Sequence, residues 1–176
     1  GGAGIVAAHF ASFSKNVTLT TVINKDKLGN LAKKTLKKYK VTLNPIYEYD
    51  RPTTEKSIYI SKNHNLLKVN NVSNQPINNI SLDKIKKKLK KNDYDILIVA
   101  DYRHGIFNNQ SCKEIIKSIS KKAFKAADSQ VASRWGNILE FQGFNLITPN
   151  EREARFSIGD QDSVIRPLAQ EIMERS

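Results

Sequence analysis

Apolar residues recur along this chain with two periods, and the two periods alternate. Short apolar runs bounded by turn residues, such as Val17 to Val22 and Ile96 to Ala100, indicate strands. Between them, apolar residues three and four positions apart indicate amphipathic helices, as at Leu28 to Tyr39 and Leu82 to Lys91. Strands that alternate with helices predict an α/β fold built on a mostly parallel sheet.

The same periods predict the other elements. Further strands are predicted at Val41 to Tyr49, Phe124 to Ala127 and Leu146 to Ile147, and further helices at Gly1 to Phe13, Gln110 to Lys122, Glu151 to Ser157 and Val164 to Glu174. Ser81 is predicted to cap the helix that starts at Leu82, and Gly159 with Asp160 to form a C-cap and turn.

One segment stands apart from the parallel pattern. Lys56 to Ser61 and Leu66 to Val72 are short alternating stretches on either side of a polar turn at 62–65, which predicts a small antiparallel flap. His64 is expected at the tip of this turn. It is interpreted as a solvated loop residue, because no second His or Cys lies at the spacing of metal ligands.

Polar side chains follow three successive predicted strands. They are Asp101, Asp128, and Asn150 with Glu153. Pro149 must end its strand, and Asn150 with Glu153 three residues later has the form of a capping box. Each polar residue alone is explained by local capping. Together, at the carboxyl edge of a parallel sheet, they also form a candidate site where an amide and carboxylates position hydrated Mg²⁺ near phosphates.

The net charge of +12 comes largely from lysine-rich runs at Lys33 to Lys40 and Lys84 to Lys91. Such runs attract polyanions, but here they interleave with leucines and isoleucines at helical spacing, which is typical of a solvated helix face. Nucleic acid is therefore not expected as the main partner. A non-catalytic basic RNA-binding or polyanion-binding module stays open as the alternative function.

Length and cysteine content limit the class of protein. A chain of 176 residues with 39% hydrophobic residues can form one domain with a real core. The single cysteine, Cys112, excludes an intrachain disulfide and fits a reducing compartment. No apolar run reaches membrane-spanning length, so a cytoplasmic protein without a membrane partner is expected.

Five short motifs in register resemble those of the PfkB, or ribokinase-like, carbohydrate kinases. The motifs are Gly1-Gly2-Ala3-Gly4 with Val6-Ala7, Arg51-Pro52-Thr53-Thr54 with Lys56, Leu66-Leu67-Lys68-Val69, Asp101-Tyr102 with Gly105, and Thr148-Pro149-Asn150-Glu151-Arg152-Glu153-Ala154. Within that family, the Arg-Pro-Thr-Thr stretch and Asp128-Ser129-Gln130 look most like the heptose-phosphate kinase branch.

The resemblance implies a fold and a reaction. The fold is a three-layer α/β/α, Rossmann-like, mostly parallel sheet with a small β-hairpin lid at 43–72, in a single partial domain spanning 1–176 that is incomplete at both ends. The reaction is phosphoryl transfer from ATP, with Mg²⁺, to a hydroxyl of a sugar or sugar phosphate such as heptose 7-phosphate. A homodimer joined through the lid is a further implication.

The resemblance also assigns roles to residues. Gly1 and Gly2 would approach the sugar hydroxyls, Lys56 would belong to the lid over the sugar, and Asp101 would lie at the edge that holds sugar and phosphate. Asn150 and Glu153 match the family's Asn-x-x-Glu motif for Mg²⁺ and nucleotide phosphates, and Asp128 is expected to join them in binding the nucleotide.

The sequence also departs from the family pattern. The catalytic base of the family is an Asp in a Gly-x-Gly-Asp motif, which does not occur in these 176 residues, so the chain is expected not to turn over by itself. Ile5 stands where many members carry a sugar-contacting Asn, which leaves the sugar open. Ser120 to Asp128 looks too short for the family's strand. A different Rossmann-like nucleotide binder would need a Gly-x-Gly-x-x-Gly turn, which Gly1 to Gly4 does not supply.

Overall fold

The computed structural model describes residues 2–91, 93–130 and 137–176 of the chain. The chain forms two compact units, Gly1–Gln75 and Pro76–Ser176. The single domain predicted for 1–176 stays a prediction. None of the helices in the described ranges is both long enough and apolar enough to cross a membrane.

The first unit combines a parallel strand pair with a separate antiparallel hairpin. Its elements are α1 (Gly2–Phe10), β1 (Val17–Ile23), α2 (Lys27–Lys38), β2 (Val41–Tyr47), β3 (Glu55–Ser61) and β4 (His64–Asn71). β1 pairs with β2 in parallel from Val17 opposite Val41 to Ile23 opposite Tyr47. Ala7, Leu36 and Val41 form the buried cluster on which α1 and α2 pack.

The β3–β4 hairpin confirms the predicted flap, with a shorter turn than expected. Lys62 and Asn63 are the two turn residues and have φ angles of 45° and 65°, as a two-residue type I′ turn requires. His64 is therefore not at the tip but is the first residue of β4, paired with Ser61. Residues 43–47, placed in the lid segment from the sequence, belong to β2 because they continue the parallel ladder with β1.

The second unit is built on a three-stranded parallel sheet in the order β5-β6-β7. Its elements are α3 (Asn79–Lys91), β5 (Ile96–Asp101), α4 (Asn109–Ile116), β6 (Phe124–Ser129), a 3₁₀ turn (Ile138–Phe141), β7 (Leu146–Ile147), α5 (Glu151–Ile158) and α6 (Ile165–Arg175). The predicted α/β fold with parallel strand pairing is confirmed in both units, and the separate hairpin is confirmed in the first.

The core of the second unit is centred on Phe141, which has no exposed surface. Phe107 and Phe144 contact its ring edge to face, at centroid distances of 5.7 and 5.4 Å. Cys112 lies in the same cluster with 1% exposure, and its Sγ is 3.7 Å from the carbonyl oxygen of Glu140. Burial raises the pKa of the Cys112 thiol to about 12, so the thiol is protonated at neutral pH.

Three differences from the predicted element boundaries have a clear structural cause. α3 begins at Asn79 rather than Leu82, because the Asn78 side chain, not Ser81, accepts the capping hydrogen bond, from the Ser81 N–H at 2.8 Å. α4 stops at Ile116 rather than Lys122, and the Ser120 N–H beyond it donates to the Tyr94 hydroxyl instead of to a helical carbonyl.

The third difference concerns the strand that looked too short. β6 runs from Phe124 to Ser129 and pairs with β5 along its whole length. Asp128 therefore lies within the strand rather than after it. The shorter α4 leaves enough chain for a six-residue strand.

Gly29 in the first turn of α2 provides a test of this packing. A Cβ at Gly29 would lie 2.1 Å from the carbonyl oxygen of Asn24, whereas a Cβ at Gly4 would meet only Leu36 Cδ2 at 3.6 Å. We expect Gly29→Ala to lower the free energy of unfolding by about 1–3 kcal/mol because the backbone must shift. Gly4→Ala should raise the free energy of unfolding by up to about 1 kcal/mol, because alanine is the better helix former and no clash opposes it. Urea denaturation measures both, and equal effects would contradict the clash.

Candidate functional site

The carboxyl ends of β5, β6 and β7 meet at one edge of the parallel sheet. Asp101 ends β5 opposite Ser129, and Asp128 is the residue before Ser129 in β6. Thr148, just after β7, donates its N–H to the Ala127 carbonyl at 3.1 Å, and its Oγ1 lies 3.4 Å from Asp128 Oδ1. Asp101 and Asp128 therefore both lie at the predicted carboxyl edge, at successive register positions, and their joining Asn150 and Glu153 in one site stays a prediction.

Asp101 is buried at this edge and its carboxylate is engaged by neighbours. It is 3% exposed and forms an ion pair with Arg103, with 2.9 Å between Oδ2 and Nε. The Arg103 N–H donates to Oδ1 at 2.8 Å and the Ser129 hydroxyl donates to Oδ2 at 3.1 Å. Desolvation raises the pKa of Asp101 above its ordinary value, against the lowering effect of the Arg103 charge.

Arg103 links this carboxylate to the strand beside it. Its Nη2 donates to Ser129 Oγ at 2.7 Å, its Nε to the Gln130 carbonyl at 3.1 Å, and its Nη1 to Glu140 at 3.3 Å. The guanidinium therefore ties the end of β5 to the end of β6. Asp101 has a clear structural role here, and its predicted part in substrate binding stays a prediction.

Asn150 and Glu153 form the predicted capping box at the start of α5. Asn150 Oδ1 accepts from the Glu153 N–H at 2.9 Å, and Glu153 Oε2 accepts from the Asn150 N–H at 2.8 Å. Asn150 is exposed, whereas Glu153 is only 7% exposed. Within the described part of the chain, the Asn150 amide nitrogen and Glu153 Oε1 have no further hydrogen-bond partner, so both can contact a ligand.

An open groove lies beside this helix N-terminus. Its volume is about 550 Å³, and it is lined by Asn150, Glu151, Arg152, Arg155, Phe156 and Gln161. Arg155 is held in place by Glu151 at 2.8 Å and by the Ser163 carbonyl at 2.9 Å. Two arginines next to a helix N-terminus attract anions such as phosphate.

Asp128, in the middle strand of the second unit's sheet, has polar neighbours. It is half-buried. Burial raises the pKa of the neighbouring Tyr102 phenol, and the negative charge of Asp128 raises it further. Tyr102 follows β5 and Thr148 follows β7, so residues just beyond the two neighbouring strands flank Asp128. In the sequence, Tyr102 and Thr148 stand out only as members of two of the five motifs. Nothing in the local pattern indicates that they flank the Asp128 carboxylate.

Asp160 is a poor candidate for a catalytic base. It follows Gly159, whose φ of 74° and N–H bond to the Arg155 carbonyl end α5 as predicted. Hydrogen bonds from the Ser163 side chain and from the Ser163 and Asp162 N–H groups lower the pKa of Asp160 to about 2. A carboxylate with such a low pKa is a weak proton acceptor at neutral pH.

Two of the other three predicted sugar contacts, Lys56 and Gly2, lie in the first unit. Lys56 is exposed on β3 and pairs with Asn70 of β4. Gly2 opens α1 with a φ of 42°, a conformation that suits glycine. Gly1 lies outside the described residues. The roles assigned to these residues in sugar binding stay predictions.

The donor set at the carboxyl edge fits a magnesium ion held mainly by water and phosphate. The described residues contain no group of three or more His, Cys, Asp or Glu side chains able to hold a metal alone. Magnesium in nucleotide sites needs only one or two carboxylates. Glu153, with the Asn150 side chain beside it, would provide such a carboxylate and supply charge that binds the ion while the ion neutralises the phosphates.

Comparison with known proteins identifies the family. The model of the pfkB family carbohydrate kinases matches residues 1–174. The chain belongs to the pfkB family. The resemblance drawn from the five motifs is therefore confirmed.

Relatives within the pfkB family include proteins named bifunctional protein HldE. The one from Aliarcobacter butzleri is 31% identical over 96% of this chain and 36% of its own length, and the one from Sulfurimonas denitrificans is 27% identical with the same coverage. The chain thus spans about a third of the length of these curated relatives.

Solved structures confirm the ribokinase-like fold. Phosphofructokinase-2 from Escherichia coli, in a tetrameric inhibited form, matches 99% of this chain and 58% of its own, with a TM-score of 0.75 and 15% identity. Ribokinase from Giardia lamblia matches 90% of this chain and 49% of its own, with a TM-score of 0.65 and 13% identity. At these identities the likeness concerns the fold.

The low pKa of Asp160 predicts how its turn responds to acid. The carboxylate stabilises the folded turn at pH values above the unfolded pKa of 3.8, and this stabilisation is lost as the pH falls from 3.8 to about 2. An NMR titration of the side-chain carboxyl should give a midpoint near 2 in the wild type, and a higher midpoint in Ser163→Ala. A midpoint at 3.8 in both proteins would contradict the hydrogen-bonded turn.

Proposed function

We propose that this chain carries the sugar-binding and nucleotide-binding elements of an ATP-dependent kinase that phosphorylates a sugar phosphate of the heptose 7-phosphate type. The observation that carries the proposal is the capping box of Asn150 and Glu153, which opens α5 at the edge where three parallel strands end. That edge is the usual ligand site of open α/β sheets.

The nucleotide side of the site follows from charge. Glu153 is buried, yet Oε1 remains open to a ligand in the described part of the chain, so it can hold a hydrated magnesium ion. Arg152 and Arg155 line the groove beside it and would bind phosphate oxygens. Phosphoryl transfer requires this neutralisation and positioning more than covalent catalysis.

The sugar side of the proposal rests on the first unit and on the family. Lys56 extends from an exposed hairpin, where an ammonium group can bind a sugar phosphate. The heptose assignment rests on the Arg51-Pro52-Thr53-Thr54 stretch, and relatives named HldE support it. The proposal also includes a cytoplasmic location, because the phosphate donor is ATP.

We further propose that these 176 residues bind substrates without turning them over. No Gly-x-Gly-Asp motif occurs in the sequence, and Asp160 has a pKa of about 2. A base that removes the proton from the sugar hydroxyl is then missing, although positioning groups are present.

Glu153→Gln separates the charge of this residue from its structural role. Glutamine also forms a capping box, so the free energy of unfolding should change by less than about 1 kcal/mol. Loss of the carboxylate should weaken binding of the magnesium complex of a non-hydrolysable ATP analogue by about tenfold, measured by calorimetry. Glu171→Gln, which changes a carboxylate on α6 outside the groove, should leave that affinity unchanged. Equal affinities in wild type and Glu153→Gln would contradict the magnesium role.

Radiolabelled transfer from ATP to a panel of sugars and sugar phosphates tests the reaction itself. We expect binding of heptose 7-phosphate but no phosphorylated product from the 176-residue chain. Robust turnover would contradict the missing base. Tight RNA binding that weakens steeply with salt, without nucleotide or sugar binding, would instead favour the polyanion-binding alternative.

A further inference from the structure

The β3–β4 hairpin has little packing of its own. Every residue of β4 from His64 to Asn71 is exposed, and β3 is exposed from Ile58 to Ser61. An isolated two-stranded hairpin is at best marginally stable in water. Its position therefore depends on how its two ends are attached to the rest of the first unit.

The leading end of the hairpin is fastened to the loop that follows β1. The Asn24 side-chain amide donates to the carbonyls of Tyr49 and Arg51 at 2.9 and 3.0 Å. The Asp26 carboxylate accepts from the Thr53 N–H at 3.0 Å and from the Thr53 hydroxyl at 2.8 Å. Asp26 also caps α2, so the same residue fixes a helix and the approach to β3.

The trailing end is fastened by the Arg51 guanidinium. Arg51 is 8% exposed, and its Nη1 donates to the Ser73 carbonyl at 3.0 Å while its Nη2 donates to the Gln75 carbonyl. Its Nε donates to Glu48 Oε2 at 2.7 Å. Glu48 is itself buried at the end of β2, and its N–H donates to the Ile23 carbonyl of β1.

One side chain therefore joins the segment before β3, the segment after β4 and the end of the parallel strand pair. We infer that Arg51 is a positioning residue, which with Glu48 sets the orientation of the β3–β4 hairpin. The planar guanidinium supplies donors in three directions, which a lysine ammonium on a flexible stem cannot hold in the same way. Removing either charge breaks the buried ion pair between Arg51 Nε and Glu48 Oε2, which is unfavourable at this burial.

The consequence for activity rests on the proposed function. If the hairpin closes over the sugar with Lys56, the orientation set by Arg51 governs sugar binding and leaves nucleotide binding in the second unit unaffected. The structural inference itself concerns only the first unit. It can be tested without any measurement of activity.

Hydrogen exchange on the full chain tests the inference with Arg51→Lys and Glu48→Gln. In each variant, amides of β3, β4 and residues 73–75 should exchange about tenfold faster, equivalent to about 1.4 kcal/mol. Amides of β1, β2 and the β5–β6–β7 sheet should keep their wild-type rates. The control is Arg175→Lys, which changes an ion pair on the surface of α6 and should alter no hairpin amide.

Several results would overturn the inference. Unchanged hairpin exchange in both variants would show that other contacts hold it. Equally faster exchange in β1 and β2, or loss of protection along the whole chain in both variants, would show that the Arg51–Glu48 pair stabilises the first unit generally. It would then have no particular role in holding the hairpin. If sugar binding by the wild type is detectable, its Kd should rise about tenfold in Arg51→Lys with the ATP-analogue Kd unchanged. Absence of sugar binding by the wild type would contradict the proposed function and leave the exchange result standing.

Discussion

The buried ion pair between Asp101 and Arg103 is the interaction on which the carboxyl edge of the second unit depends. Parallel strands β5 and β6 end there together, and the guanidinium joins their ends through Ser129 and the Gln130 carbonyl. Burying two charges costs several kcal/mol per ion unless geometry and hydrogen bonds offset it. Here the Asp101 carboxylate accepts two further hydrogen bonds, which offset part of the cost of its burial.

The two units use the same physical device at different places. In each, an arginine shortly after a strand lies against a buried carboxylate and donates to main-chain carbonyls of a segment distant in sequence: Arg51 with Glu48, and Arg103 with Asp101. Arginine suits this task because its fork of donors is rigid and always charged. In both cases the segment that it fixes leads to a predicted ligand contact, Lys56 in the first unit and Asp128 in the second.

The local sequence pattern was sufficient to predict where most helices and strands lie and to predict one part of the site, the start of α5. The period of apolar residues located the strands, and the Asn150–Glu153 spacing predicted a capping box that the structure contains. The roles of Arg51 and Arg103 were not predictable, because their partners other than Glu48 and Asp101 lie 22 to 37 residues away and leave no periodic signal. The end of α4 was misplaced for a similar reason, since the Tyr94 hydroxyl that receives the Ser120 N–H comes from before β5.

The chemistry of the lone thiol has a practical consequence. Cys112 is the one cysteine among the 176 residues, and it sits in the core with a pKa of about 12, so maleimides and other thiol reagents will not reach it in the native state. A cysteine engineered at an exposed position would then be the sole labelling point, with no background substitution needed. A spin label or fluorophore at Asn63, between β3 and β4, would report the motion of that turn in an otherwise unaltered chain.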